Sequence, residues 1–201
     1  MDVVDLGTGI GWGTRNLGAS SETDFGDYYA LGELTPKTSF SLESYRFYDS
    51  ETESYTKYTT RYASLDRSDD PVAQKLGGRW RLPTGSEGFK NQSTTHNVER
   101  NGVMGTVIKS VQEGYKGNSL FIPYAGYINS NGEEAVGKYA MLLYAQTGSS
   151  ADLMSYFGFP SSAYTIPRWC GVQIRPVCDK ISDRSHVKNL FWNYYRETYN
   201  L

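Results

Sequence analysis

Side chains capable of acid–base or nucleophilic chemistry are few in this chain, and none has a partner at a useful spacing. His96 and His186 lie 90 residues apart, and neither belongs to a metal-binding or triad motif. Ser86 lies outside any nucleophile elbow. The adjacent carboxylates Asp69 and Asp70 precede a proline, which fits a helix N-cap better than an acid–base pair. The sequence therefore predicts a protein without a catalytic centre.

Glycines alternate at the start of the chain, in a pattern that superficially suggests a phosphate-binding loop. Gly7, Gly9, Gly11 and Gly13 follow one another at every second position. Trp12 stands where the last glycine of a dinucleotide fingerprint belongs, and no helix-forming pattern follows. These glycines instead predict a terminal hairpin that passes close to other backbone.

The two cysteines, Cys170 and Cys178, are too few for a disulfide scaffold and lack metal-ligand spacing. They give no support to an oxidising compartment. Across one extended strand the two residues would lie too far apart for a mutual disulfide. We expect no metal and no other cofactor, and predict that folding is insensitive to chelators.

The composition limits the classes of function. The 201 residues are enough for one domain and an appendage, with 20 basic and 22 acidic side chains and a net charge of −2. No basic stripe suggests nucleic acid, and no apolar run suggests membrane insertion. No basic and apolar leader pattern opens the sequence, so it leaves localisation open.

Tyrosine is unusually frequent, with 17 residues against 4 tryptophans and 8 phenylalanines. Tyrosine offers a large rigid face and a hydroxyl group, and it is enriched in binding surfaces. It also suits half-buried strand positions in a β-rich domain with a small core. Both interpretations stay open at the level of sequence.

Local patterns predict an α+β domain with two short helices. Residues 3–18 favour an opening strand pair, and residues 34–68 predict a long irregular insertion on the domain surface. Asp70, Pro71 and Gly77 have the types and spacing of a helix cap, first turn and terminator. Residues 84–87 have the form of a capping box, which predicts a second helix reaching toward residue 91.

The second half of the chain predicts strands separated by Gly and Asn turns. The predicted strands are 103–111, 119–128, 138–146, 152–159 and 171–178. After residue 179 the pattern becomes helical, with Val187, Leu190, Phe191, Tyr194 and Thr198 on one face. We divide the chain into a domain, residues 1–179, and a C-terminal helical tail, residues 180–201. The tail either docks on its own domain, mediates homo-oligomerisation or is disordered.

Several motifs in a fixed order resemble those of the Fib-succ-major paralogous-domain family. They are residues 4–7 (VDLG) with Trp12, 16–19 (NLGA), 25–33 (FGDYYALGE), 77–84 (GGRWRLPT) and 171–178 (GVQIRPVC). The resemblance covers residues 3–179. It implies a C-type lectin-like fold, with two short helices beside a twisted, mostly antiparallel sheet, and a scaffold that presents a binding surface.

Two activities known on related folds are not favoured by these residues. Formylglycine-generating oxidases use two reactive cysteines, but the sequence around Cys170 and Cys178 does not match theirs, which leaves that activity a remote alternative. Sugar-binding C-type lectins chelate calcium through Glu-Pro-Asn or Gln-Pro-Asp and Trp-Asn-Asp tripeptides. This chain offers only residues 192–194 (WNY), in the tail. Calcium-dependent sugar binding is therefore not predicted.

Residues 137–170 depart from the pattern of the relatives, while the flanking residues 121–127 and 175–177 keep to it. Some members of this fold are targets of diversity-generating retroelements, which vary exposed side chains near the C-terminus. By resemblance, we predict a ligand-binding display protein with a variable C-terminal face, on a phage or bacterial surface. The predicted ligand-binding residues are Tyr139, Met141, Leu143, Tyr144, Tyr156, Phe157, Phe159, Tyr164, Arg168 and Trp169. The alternatives are a constant surface or fimbria-associated adhesin, and ordinary core and edge-strand roles for these aromatics.

The ligand of such a surface is a protein or a glycan, which the sequence does not distinguish. Cys178 ends a strand predicted to be central, so we expect it to be buried and unreactive. Cys170 lies in the divergent segment, and we expect it to be the more accessible thiol.

Overall fold

The computed structural model describes residues 1–89, 92–161 and 165–180. Within these ranges the chain is mostly β, with one α-helix, one 3-10 turn and several small antiparallel sheets, so the α+β prediction holds at this level. No helix in these ranges is long and apolar enough to cross a membrane. Of the predicted tail helix, only Lys180 lies inside the described residues.

The described residues form short strands, one 3-10 turn and one α-helix along the chain. They are β1 (Val3–Asp5), β2 (Ile10–Gly13), β3 (Tyr48–Asp49), β4 (Ser54–Tyr55), a 3-10 turn (Arg67–Asp69), α1 (Pro71–Leu76), β5 (Trp80–Arg81), β6 (Ser93–Arg100), β7 (Val103–Lys109), β8 (Ser119–Pro123), β9 (Tyr127–Asn129), β10 (Gly132–Glu134), β11 (Ala140–Thr147), β12 (Met154–Phe159) and β13 (Val177–Asp179).

The opening strand pair joins the end of the domain in one four-stranded sheet, in the order β1-β2-β13-β5. Val4 lies opposite Trp12, which confirms the predicted hairpin. A Cβ atom on Gly11 would lie 2.3 Å from Cγ1 of Val3, so any larger residue there would have to displace the Val3 side chain. The alternating glycines thus serve close backbone packing, as predicted.

The predicted helix after Asp70 forms with its predicted cap. Oδ1 of Asp70 accepts hydrogen bonds from the backbone N–H of Val72 at 2.8 Å and Ala73 at 3.1 Å. Pro71 occupies the first turn, and Gly77 ends the helix at φ 65°. The second carboxylate oxygen of Asp70 accepts a hydrogen bond from the backbone N–H of Leu82 at 2.8 Å, so the same side chain also anchors the chain directly after β5.

The second predicted helix does not form in residues 84–89. Thr84 N donates to Oε2 of Glu87 at 2.9 Å, and Glu87 N donates to the carbonyl of Thr84 at 3.1 Å. The capping box therefore closes a turn, but the same carboxylate also accepts from Arg81 Nη1 at 2.7 Å. Gly88 follows at once, and this combination of an anchored carboxylate and a flexible residue ends the turn.

The three-stranded sheet β6-β7-β8 contains a strand that the sequence did not predict. The side chains of β6 are polar and mostly exposed, so no apolar alternation marks it. Its hairpin partner β7 follows Asn101 and Gly102, which adopt φ 49° and 78°. Positive φ at both positions is the geometry of a two-residue hairpin turn, and Asn-Gly is its strongest sequence signal.

The β11–β12 ribbon lies between two apolar clusters and is the centre of the fold. Ala140 and Leu142 pack with Trp12, Phe89 and other side chains in the first cluster. Met141 and Leu143 point to the opposite side, into a second cluster that includes Tyr29 and Cys170. Since successive strand residues alternate between faces, the first half of β11 is buried on both sides.

The insertion, residues 34–68, contributes most of a third apolar cluster. Phe40, Tyr45 and Phe47 are buried there, together with Ile128 from β9. The insertion contains only the short β3–β4 pair and the 3-10 turn as regular structure. Its aromatic side chains attach it to the domain, together with backbone hydrogen bonds that join residues 62–65 to residues 145–148.

Candidate ligand-binding surface

Four of the ten predicted ligand-binding residues belong to the core. Met141, Leu143, Phe159 and Arg168 are 1%, 0%, 8% and 0% exposed. For Met141, Leu143 and Arg168 the prediction of a ligand-contacting side chain is wrong, whereas Phe159 lines a concavity beside the β11–β12 ribbon. The reason for the first two is the position of β11, which has an apolar cluster on each face.

Arg168 is a structural residue that fixes the insertion to the domain. Its guanidinium donates to the hydroxyl of Tyr45 at 3.0 Å and to the carbonyls of Tyr58 at 2.9 Å, Lys57 at 2.9 Å and Ala151 at 3.2 Å. Its Cζ atom also lies 4.5 Å from the ring centroid of Tyr55. With these partners the buried charge is surrounded by hydrogen-bond acceptors and aromatic faces.

Five of the predicted residues are half-buried, and three of them lie together. Tyr144, Tyr156 and Phe157 occupy neighbouring positions of the β11–β12 ribbon. Tyr139 and Trp169 are also half-buried but pack along the second cluster, and neither lines the concavities beside the ribbon. Tyr164 lies outside the described residues.

Ring contacts with the first apolar cluster support Tyr144 and Phe157 on the β11–β12 ribbon. The rings of Tyr144 and Phe157 are 4.2 Å apart, edge to face, at an interplanar angle of 62°. Phe157 is 5.3 Å from Phe89, which is in turn 4.2 Å from Trp12. This series of rings runs from the surface into the first cluster, so the exposed edges of Tyr144 and Phe157 have a fixed orientation.

Two adjoining concavities lie on this surface. The Tyr62 concavity has a volume of about 260 Å³ and is lined by Tyr62, Gly148, Ser155 and Thr165, among others. The Phe157 concavity has a volume of about 280 Å³, and its lining includes Gly85, Phe89, Thr94 and Phe157. Tyr144 and Tyr156 line both concavities, so the two concavities adjoin at these residues.

Tyr62 completes the site and was not predicted from the sequence. It is 56% exposed, and its backbone has φ 53°, in the left-handed region that side-chain-bearing residues rarely adopt. Its N–H donates to the carbonyl of Gly148 at 3.0 Å. The sequence predicted an irregular surface insertion over residues 34–68, but nothing singled out this tyrosine among its neighbours.

Thr147 attaches the segment around Tyr62 to the end of β11. The side chain of Thr147 is fully buried; its Oγ1 donates to the carbonyl of Thr60 at 2.8 Å and accepts from Ala63 N at 2.7 Å. Both bonds flank Tyr62, which holds its backbone rigidly beside the ribbon. The exposed ring is therefore pre-positioned at the rim.

Among the described residues, the side chains that line the two concavities are uncharged. Apart from tyrosine, no Asp, Glu, Lys, Arg or His occurs in either described lining, although charged residues make up 21% of the chain. Burial raises the pKa of Tyr144, so its hydroxyl stays protonated at physiological pH. The site offers aromatic faces, hydroxyl groups and backbone, but no ionic partner.

Titratable clusters elsewhere among the described residues are satisfied ion pairs and hydrogen bonds. Nζ of Lys75 lies 2.5 Å from the hydroxyl of Tyr29, which donates to Oδ2 of Asp27 at 3.0 Å. Tyr29 is fully buried, and this burial and the Asp27 carboxylate raise its pKa, which opposes a role as a nucleophile or base. In the part of the chain that the structure describes, no three metal-ligating side chains gather at one point.

The predicted order of thiol accessibility is wrong. Cys170 is 1% exposed within the second cluster, and burial raises the pKa of its thiol to about 12. Cys178 is half-buried, although its strand β13 lies inside the sheet between β2 and β5 as predicted. The divergent segment containing Cys170 is covered by packing partners, which the sequence could not reveal. Both thiols are free.

Comparison with known proteins gives no match: no family, no curated protein and no solved structure is significantly similar to this chain.

Proposed function

We propose that this chain is a ligand-binding display protein with a C-type lectin type of fold, carried on a phage or bacterial surface. The observation that supports it most is that Tyr144 and Tyr156 line two adjoining concavities, with the exposed Tyr62 in the lining of one of them. Rigid, half-buried tyrosines supply contact area at a low entropic cost. Backbone strain at an exposed residue is also typical of functional sites.

Binding, not catalysis, is the activity that fits this surface. The described linings provide no carboxylate, imidazole or amine to move a proton. The hydroxyl of Tyr144 keeps its proton, because burial raises its pKa. What the site provides is a pre-oriented set of rings and small polar groups.

If a diversity-generating retroelement rewrites residues 137–170, the half-buried positions Tyr144, Tyr156 and Phe157 are the ones free to vary. Met141, Leu143 and Arg168 would stay fixed, because each is buried and changes there would destabilise the fold. A near-copy of codons 137–170 in the encoding DNA, differing mainly at adenines, would support this version. A search that finds no such copy would favour a constant surface.

A constant adhesin of the same fold is the second candidate, and one observation favours it. Tyr62, Gly85 and Thr94 line the concavities from outside residues 137–170. Part of the surface would therefore be unchanged by diversification of that segment. An adhesin with one ligand would use all of these residues together.

Binding of the labelled protein to a panel of bacterial cells tests the proposal. We expect the double variant Tyr62→Ala/Tyr156→Ala to lose at least about tenfold in binding, because aromatic residues dominate binding hot spots. The control is Tyr115→Ala, which removes a half-buried tyrosine that lines neither concavity. Equal binding by the double variant and the control would contradict the proposed site.

A further inference from the structure

We propose that a cavity between residues 26–28 and 36–39 binds a small zwitterion, of the size of a free amino acid or a short peptide. Asp27 receives the ammonium group of this ligand, and Lys37 receives its carboxylate. The Asp27–Lys37 cavity shares no described lining residue with the two concavities beside the β11–β12 ribbon. It is therefore a second site, independent of the proposed display function.

Two neighbouring segments of the chain form the Asp27–Lys37 cavity. The backbone N–H of Lys37 donates to the carbonyl of Tyr28 at 3.3 Å, which holds the two segments side by side. The volume is about 470 Å³, within the range of roughly 300–1,000 Å³ typical of small-molecule sites. The described lining consists of Gly26, Asp27, Tyr28, Pro36, Lys37, Thr38 and Ser39.

The carboxylate of Asp27 is fixed by residues that do not belong to the described lining. Its Oδ2 accepts a hydrogen bond from the hydroxyl of Tyr29 at 3.0 Å and lies 3.6 Å from Nζ of Lys75. Among the described residues, Tyr29 is the only hydrogen-bond donor to this carboxylate. Since a carboxylate has about four acceptor positions, Asp27 keeps the capacity to bind a ligand ammonium group.

The ammonium group of Lys37 is fixed in a similar way. It donates to Oε1 of Glu33 at 2.9 Å and to the carbonyl of Ser44 at 3.2 Å, and it lies 2.7 Å from Oε2 of Glu33. The side chain of Glu33 is only 8% exposed, whereas that of Lys37 is 26% exposed. The two hydrogen bonds use two of the three N–H groups of the ammonium, so the third is available to a ligand carboxylate.

The two ion pairs present opposite ends to the same cavity. Asp27 is part of the described lining and its partner Lys75 is not, whereas Lys37 is part of it and its partner Glu33 is not. A ligand with a single charge would be attracted to one of these groups and repelled by the other. A zwitterion is attracted to both, and it forms charge-assisted hydrogen bonds, which are stronger than neutral ones.

The rest of the lining suits the carbon skeleton of such a ligand. The hydroxyl of Tyr28 donates to the carbonyl of Ala125 at 2.7 Å, and burial raises its pKa to about 12, so the ring is held in place and uncharged. Pro36 supplies a second apolar surface, and the exposed Thr38 and Ser39 supply hydroxyl groups. These groups add contact area without a further ionic requirement.

Isothermal titration calorimetry on the full chain tests the proposal, with the individual L-amino acids, alanyl-alanine and trialanine as probes. At least one probe should bind with a dissociation constant of about 1 mM or tighter. The distance between ammonium and carboxylate grows with each residue, so the ranking of alanine, alanyl-alanine and trialanine identifies the ligand length. The N-acetyl and amide derivatives of the bound probe each lack one charge and should bind about tenfold more weakly or worse.

Variants assign each charge of the ligand to its partner. Asp27→Asn keeps an acceptor for the Tyr29 hydroxyl, but it should lose the preference for the probe over its N-acetyl derivative. Lys37→Met should lose the preference for the probe over its amide, and Lys37→Arg should retain it. The matched controls are Glu113→Gln and Lys116→Met, which break an exposed ion pair outside the cavity and should bind like the parent.

A filling substitution covers the case in which Lys37→Met is unstable because it leaves the buried Glu33 without its cation. Ser39 is exposed and part of the lining. Ser39→Trp should therefore block the cavity and abolish probe binding, while its melting temperature stays close to that of the parent.

Three outcomes overturn the inference: no probe binds, the singly charged derivatives bind as tightly as the zwitterion, or Asp27→Asn and Ser39→Trp both bind like the parent. The double variant Tyr62→Ala/Tyr156→Ala separates the two sites, since it should bind the zwitterion unchanged while it loses binding to cells. Cell binding lost in that variant, with no probe bound by the parent, would reject the zwitterion site and leave the display function standing.

Discussion

The guanidinium of Arg168 donates to the hydroxyl of Tyr45 at 3.0 Å, and this contact joins residues 123 positions apart in the sequence. Tyr45 in turn donates to the carbonyl of Leu31 at 2.7 Å. The insertion is therefore connected to both the early and the late part of the domain through two buried side chains. Two further carbonyls of the insertion, those of Lys57 and Tyr58, accept from the same guanidinium.

Replacing Arg168 should loosen the insertion and destabilise the whole domain. Arg168→Met leaves the Tyr45 hydroxyl and three buried carbonyls without their donor. We expect the free energy of unfolding to fall by about 3–5 kcal/mol, as for broken buried charged networks. Urea denaturation measures the loss, and limited proteolysis should cut within residues 34–68. Arg61→Met, at an exposed position, is the matched control and should change stability by less than about 0.5 kcal/mol. An insertion as resistant to protease as in the parent would contradict this role.

We expect the side chain of Tyr62 to contribute to ligand binding and not to the stability of the fold. Glycine adopts φ 53° without strain, whereas a side chain there costs about 1–2 kcal/mol. The greater conformational freedom of glycine in the unfolded chain acts in the opposite direction and lowers the stability of the folded protein by about 0.5–1 kcal/mol. We therefore expect Tyr62→Gly to be at least as stable as Tyr62→Ala in thermal melts, while both lose binding. A marked drop in melting temperature for both variants would show that the ring is structural.

Acid should destabilise the protein partly through Asp69. Burial alone would raise the pKa of this carboxyl, but hydrogen bonds from Lys57 at 2.6 Å and Tyr58 at 2.7 Å overcome burial and hold the pKa below its usual value. Because the pKa of Asp69 is lower in the folded protein, its ionised carboxylate stabilises the fold at pH values above the unfolded-state pKa of about 3.9. That contribution is lost as the pH falls through the folded value. Denaturant midpoints at neutral pH and below about pH 4 measure the loss. Asp69→Asn should show a smaller acid-dependent drop, and an identical drop would contradict this assignment.

Cys178 should react with thiol reagents before Cys170. The half-buried Cys178 is accessible in the native state, whereas Cys170 is buried and its pKa is raised to about 12. Since the thiolate is the reactive form, Cys170 should be labelled only on unfolding. Titration with Ellman's reagent near neutral pH should give one fast thiol in the native protein. Cys178→Ser should abolish that phase, and a fast phase that remains in this variant would place the accessible thiol at position 170.

Local signals in the sequence were sufficient where a few adjacent residues decide the structure. The cap, first turn and terminator at Asp70, Pro71 and Gly77 specify a helix by hydrogen bonds and dihedral angles within one segment. The glycines around Trp12 likewise indicated close strand packing, and the missing side chain of Gly11 confirms it. The same kind of signal fails where another side chain competes for the capping group. The turn at Thr84 did not continue as a helix, since Arg81 binds the carboxylate of Glu87.

The sequence by itself determined the β-rich class, the capped helix, the opening hairpin and the concentration of aromatics in residues 137–170. Only the tertiary structure decided which of those aromatics face solvent, because β11 has a packed cluster on each face and alternation alone cannot identify an outer side. It also brought Tyr62 beside Tyr144 across the fold, through the buried hydroxyl of Thr147. Burial depends on what covers a segment, and the side chains that cover β11 come from elements far away along the chain.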